Sequence, residues 1–263
     1  LYPAKPDSNL ERRATIVVTL LCAGILYAVM WLPAILGHVY TADDLGAFHL
    51  PLRHFYATCL AAGESFAWWP NLFGGFYALG EGQAGMYHPW HMLLYRVFPL
   101  NVAWNLELLT NYPLLFAGTY FFLRRQIQRT DAALAGAALL TFSGFTLLHF
   151  MHVNAISVVA HLPWLLLAID WAMTGQTAKH VRLALLAIAL LTGSQLLLGY
   201  PQYVWMSWLI EGGYVVTLSI RHKAAMRRLP ALALAVLIGV GIGAVTIWPT
   251  YESLLLSSRS NVD

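Results

Sequence analysis

The chain has 263 residues, of which 59% are hydrophobic and 10% charged, with a mean hydropathy of +0.62. Soluble domains carry about 25% charged residues, so this composition excludes an ordinary soluble fold and points to a polytopic membrane protein. The net charge of +3 does not mark a nucleic-acid binder, because the basic residues sit in short links between apolar runs, and Cys22 and Cys59 are too few for a disulfide or metal framework.

No signal peptide precedes the first apolar run, and the chain stops abruptly at Asp263. We read residues 1–263 as a single transmembrane module, the N-terminal fragment of a longer protein. The first run, 14–37, has roughly the twenty residues that a bilayer core demands. Residues 38–102 follow, the one long stretch that is not membrane-like. It gathers five of the ten histidines (His38, His49, His54, His88 and His91) and four of the twelve acids (Asp43, Asp44, Glu64 and Glu81).

Within this loop Leu45, Phe48, Leu52, Phe55, Tyr56 and Cys59 recur at helical spacing, predicting an interfacial amphipathic helix over 44–60 with Asp43 or Asp44 as its N-cap. Trp68, Trp69 and Trp90 suit the aromatic belt at headgroup depth. Gly74, Gly75, Gly80, Gly82 and Gly85 predict tight turns. A second interfacial helix is expected over 88–98, with Pro89 in its first turn. Further spans are expected at 102–123, 132–150, 155–173, 181–199, 203–220 and 229–249, giving about seven.

The charges orient this arrangement. With a cytoplasmic N-terminus, alternation puts twelve of the fifteen basic residues inside and leaves Arg53, Arg96 and Arg259 outside. The 38–102 loop, the turns at 151–154 and 200–202, and the C-terminal stub then face outward.

Asp43-Asp44 is the strongest local feature. Adjacent carboxylates beside a span suit proton abstraction from a hydroxyl, or a divalent cation held against a phosphate; an ordinary helix cap explains one of them equally well. His88/His91 and His49/His54 match no metal-ligand spacing. Arg53 and Arg96 suit a lipid phosphate or anionic headgroups. Gln202 at one outward turn, and His149, His152 and Asn154 at the other, are placed to edge a pocket under the loop. Glu107 and Glu211 are intramembrane acids away from basic loops, whereas Asp131 and Asp170 lie near helix ends. No nucleophile triad, P-loop or dinucleotide fingerprint is present.

The order of the pieces carries a resemblance. The Asp pair after the first span, Trp69-Pro70-Asn71-Leu72-Phe73-Gly74-Gly75, Tyr87-His88-Pro89, Phe142-Ser143-Gly144-Phe145, Gly199-Tyr200-Pro201-Gln202 and Pro249-Thr250-Tyr251-Glu252 leading to Ser258-Arg259 together resemble the YfhO-type bacterial membrane proteins. That family is related to the C-type (GT-C) glycosyltransferases. The resemblance implies a GT-C-like all-α fold in the bacterial inner membrane. It also implies transfer of a sugar from a polyprenyl-phosphate donor to an extracytoplasmic acceptor. The role of catalytic base or cation ligand falls on Asp43 or Asp44, and pocket roles fall on Arg53, His88, Gln202, Glu252 and Arg259. Family members continue with further spans and a large outer domain. The competing reading is a non-catalytic accessory or scaffolding subunit with membrane protein partners. A transporter or lipid flippase comes third, since no inverted repeat is evident.

Overall fold

The computed structural model describes residues 8–258, so Arg259 and the residues that follow it lie outside the described residues. The chain is a mostly helical, multi-span membrane-like bundle. Five segments are long and apolar enough to cross a bilayer: Asn9–Ile35, Thr130–Met151, Val153–Thr174, Ala178–Leu198 and Lys223–Leu256.

The expected spans at 102–123 and 203–220 do not meet that standard, for different reasons. The first is interrupted at Thr110, between α4 (Leu100–Leu109) and α5 (Asn111–Ile127). Thr110 Oγ1 donates to Leu106 O at 2.7 Å and Asn111 Nδ2 to Glu107 O at 2.8 Å, so side chains compete for the helix's own carbonyls. Pro113 has no N–H to give Leu109 O, and Tyr27 OH from α1 (Ser8–Ile35) takes that carbonyl at 3.2 Å. The second, α10 (Pro201–Arg221), is 21 residues long, but Gln202, Ser207, Glu211 and two glycines dilute its apolarity. The expected span at 132–150 is also jointed. After α6 (Thr130–Thr141) the chain turns at Phe142-Ser143, and Ser143 Oγ accepts from Thr146 N at 3.3 Å to start the short α7 (Gly144–Leu148).

At the centre is α8 (Val153–Thr174), buried on most of its surface and packed against α5, α9 (Ala178–Leu198) and α10. Helix α11 (Leu229–Leu256) lies along α9 at close range. A Cβ at Gly239 would stand 2.7 Å from Thr192 Cβ, and one at Gly193 would stand 2.7 Å from Ile242 Cγ2. Small residues let the two backbones approach, as they do between membrane helices generally.

The loop folds back over one end of this bundle. Its first helix starts as a wide π-type turn, Leu45–His49, and continues as α2 (Leu50–Ala62); its second is α3 (Pro89–Val97), with Pro89 at the first helical position. Neither acid caps the first helix as expected. Asp44 already has helical φ/ψ (−55°, −25°) and makes no side-chain cap bond, while Asp43 sits at φ 52°. Backbone carbonyls serve the first turn instead: Ala42 O accepts from Leu45 N, and Asp43 O from Gly46 N and Ala47 N. Both carboxylates are left exposed. Between α2 and α3, Trp69 and Phe76 pair as an antiparallel bridge, Trp69 stacks on Phe55 at 5.1 Å, and Phe73 projects at the tip, 89% exposed.

Candidate functional site

The site is organised by residues 82–86, a strap whose five successive carbonyls each accept from a different place in the fold. Gly82 O accepts from Tyr200 N at 3.1 Å. Gln83 O accepts from Asn154 Nδ2, and Ala84 O from Arg53 Nη1. Gly85 O faces His91 Nδ1 at 2.9 Å, and Met86 O accepts from Tyr56 OH at 2.5 Å. A strap without regular structure has no ladder to satisfy its backbone, so the buried side chains of α2, α3 and α8 do it. Gly199 allows the closest approach: a Cβ there would stand 2.5 Å from Gly82 O, and its φ of 84° favours glycine.

Beneath the strap lies an ion pair. Arg53 and Glu107 are each about 1% exposed; Arg53 Nε lies 2.9 Å from Oε2 and Nη2 lies 2.5 Å from Oε1. Tyr95 OH donates to Oε2 at 2.5 Å, and His91 Nε2 lies 3.4 Å from Oε1. Arg53 was expected to meet a lipid phosphate or headgroups; here its fork is filled by Glu107 and Ala84 O. Arg96 remains the exposed basic side chain of the loop.

His88, an expected pocket residue, belongs to a second network. Ser194 Oγ on α9 stands 2.8 Å from His88 Nε2 and 2.8 Å from His161 Nε2 on α8. The geometry sets the direction of the bonds. His161 Nδ1 lies 2.7 Å from Ser157 O and must carry a proton to bond a carbonyl. Neutral His161 therefore accepts at Nε2 from the Ser194 hydroxyl, and Ser194 accepts from His88 Nε2–H. That leaves a lone pair on His88 Nδ1, which is buried and unpartnered. Burial, reinforced by the neighbouring His91 and His161, pushes the His88 imidazole down to about 2, so it stays neutral.

The Asp pair lies at the rim rather than in this interior. Asp44 is within electrostatic reach of His49 and of Tyr200. Burial first, then the Arg53 charge, push His49 down to about 4; burial and Asp44 raise the Tyr200 phenol. Asn154 is fully buried and its Oδ1 is unpartnered, as is His152 Nδ1. Gln202 is exposed two residues beyond Tyr200, in the first turn of α10, and Glu252, also exposed, accepts from Trp248 Nε1 at 2.7 Å. The fold thus places His88 and Arg53 in separate interior networks and does not bring them to the exposed Asp43-Asp44.

An apolar groove of about 350 Å³ begins at the strap and runs between α10 and α11, lined by Gly82, Pro201, Val204, Trp208, Thr246 and Tyr251 among others. Its walls include Gly199 and Pro201, which flank Tyr200, the residue within electrostatic reach of Asp44. Among the described residues no three of His, Cys, Asp and Glu gather closely enough to hold a metal ion. A cation at Asp43-Asp44 would take its other oxygens from water or a phosphate.

Sequence reasoning missed Ser194, Tyr95 and His161, polar residues within apolar helical runs whose partners come from distant segments. Comparison of the chain with protein-family models, with curated proteins and with solved structures finds no match.

Proposed function

We propose that the chain is a membrane glycosyltransferase module that moves a sugar from a polyprenyl-phosphate donor to an extracytoplasmic acceptor. The observation that supports this most is the turn Gly199-Tyr200-Pro201: exposed Asp44 lies within electrostatic reach of Tyr200, and Gly199 and Pro201 line the apolar groove of about 350 Å³. A donor of this class needs both: an apolar furrow for its chain and a polar edge for its phosphate and sugar. Asp43 or Asp44 takes the proton of the acceptor hydroxyl as its oxygen bonds to the anomeric carbon, and the polyprenyl phosphate leaves with the electron pair of the broken bond. In this reading α4–α5 and α10 complete seven spans, the N-terminus is cytoplasmic and 38–102 faces outward in a bacterial inner membrane.

The test is transfer of labelled sugar from polyprenyl-phosphate donors by the protein in native-like membranes, with Asp43→Asn and Asp44→Asn beside it. Loss of transfer in one folded variant identifies the base; unchanged transfer in both removes the pair from the mechanism. The alternative, a non-catalytic scaffolding subunit, is favoured by one observation: the interior polar groups Arg53, His91, Tyr56 and Asn154 are spent on holding the strap. Absence of transfer with every donor, together with a stable membrane protein partner, would select it.

A further inference from the structure

Glu211 lies midway along α10 and is 6% exposed. One carboxyl oxygen, Oε1, accepts from Ser207 Oγ at 2.7 Å, and Ser207 in turn accepts from Gln195 Nε2 at 3.1 Å. Gln195 Nε2 also donates to Val158 O at 3.0 Å, so α8, α9 and α10 fix this arm. The other oxygen, Oε2, has no hydrogen-bond partner among the described residues, and no basic side chain there pairs with Glu211. The charged pair Arg125–Asp170, whose acid follows the cavity-lining Ile169 on α8, is closed on itself by Thr174, Gln126 and Tyr214.

Glu211 lines a separate cavity of about 300 Å³ with Ile169, Trp208, Val215, Leu232 and Val236. The walls are otherwise apolar, and the one aromatic is Trp208, whose indole N–H is unpartnered. An isolated carboxylate at membrane depth is strongly disfavoured unless it is neutralised. Only two things neutralise it here: a proton or a cation brought from outside. A compact, strongly hydrated cation would find a single acid and too few oxygens. A lipophilic one would lose little hydration, bury apolar surface against Leu232 and Val236, and set its charge between the carboxylate and the indole face.

We propose that this cavity is a binding site for lipophilic organic monocations, with Glu211 as the counter-charge and Trp208 as the aromatic wall, and that a proton competes for the same carboxylate. The site lies deep between α8, α10 and α11, away from the Asp43-Asp44 rim, and does not rest on sugar transfer.

The probe is tetraphenylphosphonium, measured by equilibrium dialysis against the purified protein in detergent, with saturable binding separated from micelle partition by excess unlabelled probe. The wild type should bind at one site, more tightly as pH rises, because deprotonation supplies the charge. Glu211→Gln keeps the Ser207 bond and should weaken binding roughly tenfold or more and abolish its pH dependence; Glu211→Asp should restore the pH dependence. Trp208→Leu should weaken binding about tenfold without flattening the pH profile. Size-exclusion behaviour reports that each variant folds. Folded wild type without saturable binding, or folded Glu211→Gln with the wild-type affinity and pH profile, would overturn the proposal.

Discussion

Arg53 and Glu107, 54 positions apart in the chain, meet fork to fork in the interior, with Nε 2.9 Å from Oε2 and Nη2 2.5 Å from Oε1. The pair ties the 38–102 loop to the helical bundle, since α2 carries one partner and α4 the other. Arg53 also reaches Ala84 O, so the same side chain anchors the strap.

Removing one partner leaves the other charge buried and unpaired. Arg53→Ala and Glu107→Ala should therefore each cost about 3–5 kcal/mol, whereas a double replacement by apolar residues of similar size, Arg53→Met with Glu107→Leu, should recover much of the loss. Lysine at 53 should not substitute, because it cannot fill two carboxylate oxygens and a carbonyl with one planar group. Thermal unfolding in detergent across the four variants checks this. Additive losses in the double variant would contradict it.

Asn154 makes a more local prediction. Its Nδ2 donates to Gln83 O from a fully buried position on α8. Asn154→Ala would strand that carbonyl at a cost of about 1–3 kcal/mol. The damage should be confined: amide hydrogen exchange should quicken over residues 82–87 and stay unchanged in α9 and α11. Slow exchange at the strap in the variant would mean that the other four carbonyl contacts suffice.

How much of this was legible beforehand follows from the range of the forces involved. Apolar runs and helical periodicity are local, so the five membrane-length segments, the helices α2 and α3, and the irregular strap with its glycines could be read directly, whereas the expected spans at 102–123 and 203–220 were not borne out at that length and apolarity. Exposure of Asp43-Asp44 was compatible with the sequence, but the missing cap was not foreseen, because a capping preference says nothing of a π-type first turn. Arg53 and Glu107 were each singled out, yet nothing along the chain joins residues 54 positions apart. Ser194 is the extreme case: a lone serine in an apolar helix whose partners, His88 and His161, lie 106 and 33 positions away. The interruption near Thr110 had a visible cause in Thr110-Asn111 and Pro113, but its consequence depends on Tyr27 arriving from α1.

The seam between α9 and α11 depends on missing side chains. A Cβ at Gly239 would stand 2.7 Å from Thr192 Cβ and 2.8 Å from Ala189 O, so backbone as well as side chain is in the way. Gly239→Leu must push the helices apart and should cost about 1–3 kcal/mol or more. Gly241, with nothing within 4 Å of its built Cβ, is the control on the same helix. Gly241→Ala should be neutral or slightly stabilising, since alanine is the better helix former. Equal losses at both positions would show that glycine serves α11 through backbone flexibility rather than through contact with α9.

The buried histidines of the loop set a pH dependence whose direction can be worked out. His49 is held down to about 4, chiefly by burial, against about 6.5 in an unfolded chain. Its neutral form is the folded one, so above about pH 6.5 folded and unfolded chains bind equal numbers of protons at this residue. As pH falls below that value the unfolded chain takes up a proton that the folded chain refuses, and stability declines until pH reaches about 4. The loss from His49 alone amounts to about 3 kcal/mol. His88, held down to about 2, extends the decline to still lower pH. Thermal midpoints measured from pH 8 to pH 4 should therefore fall toward acid. His49→Phe should flatten the curve between pH 6.5 and pH 4, because it keeps the ring's bulk and removes the proton site. A variant curve parallel to the wild type would assign the acid sensitivity to other groups and mean that His49 takes up its proton equally in the folded and unfolded chains.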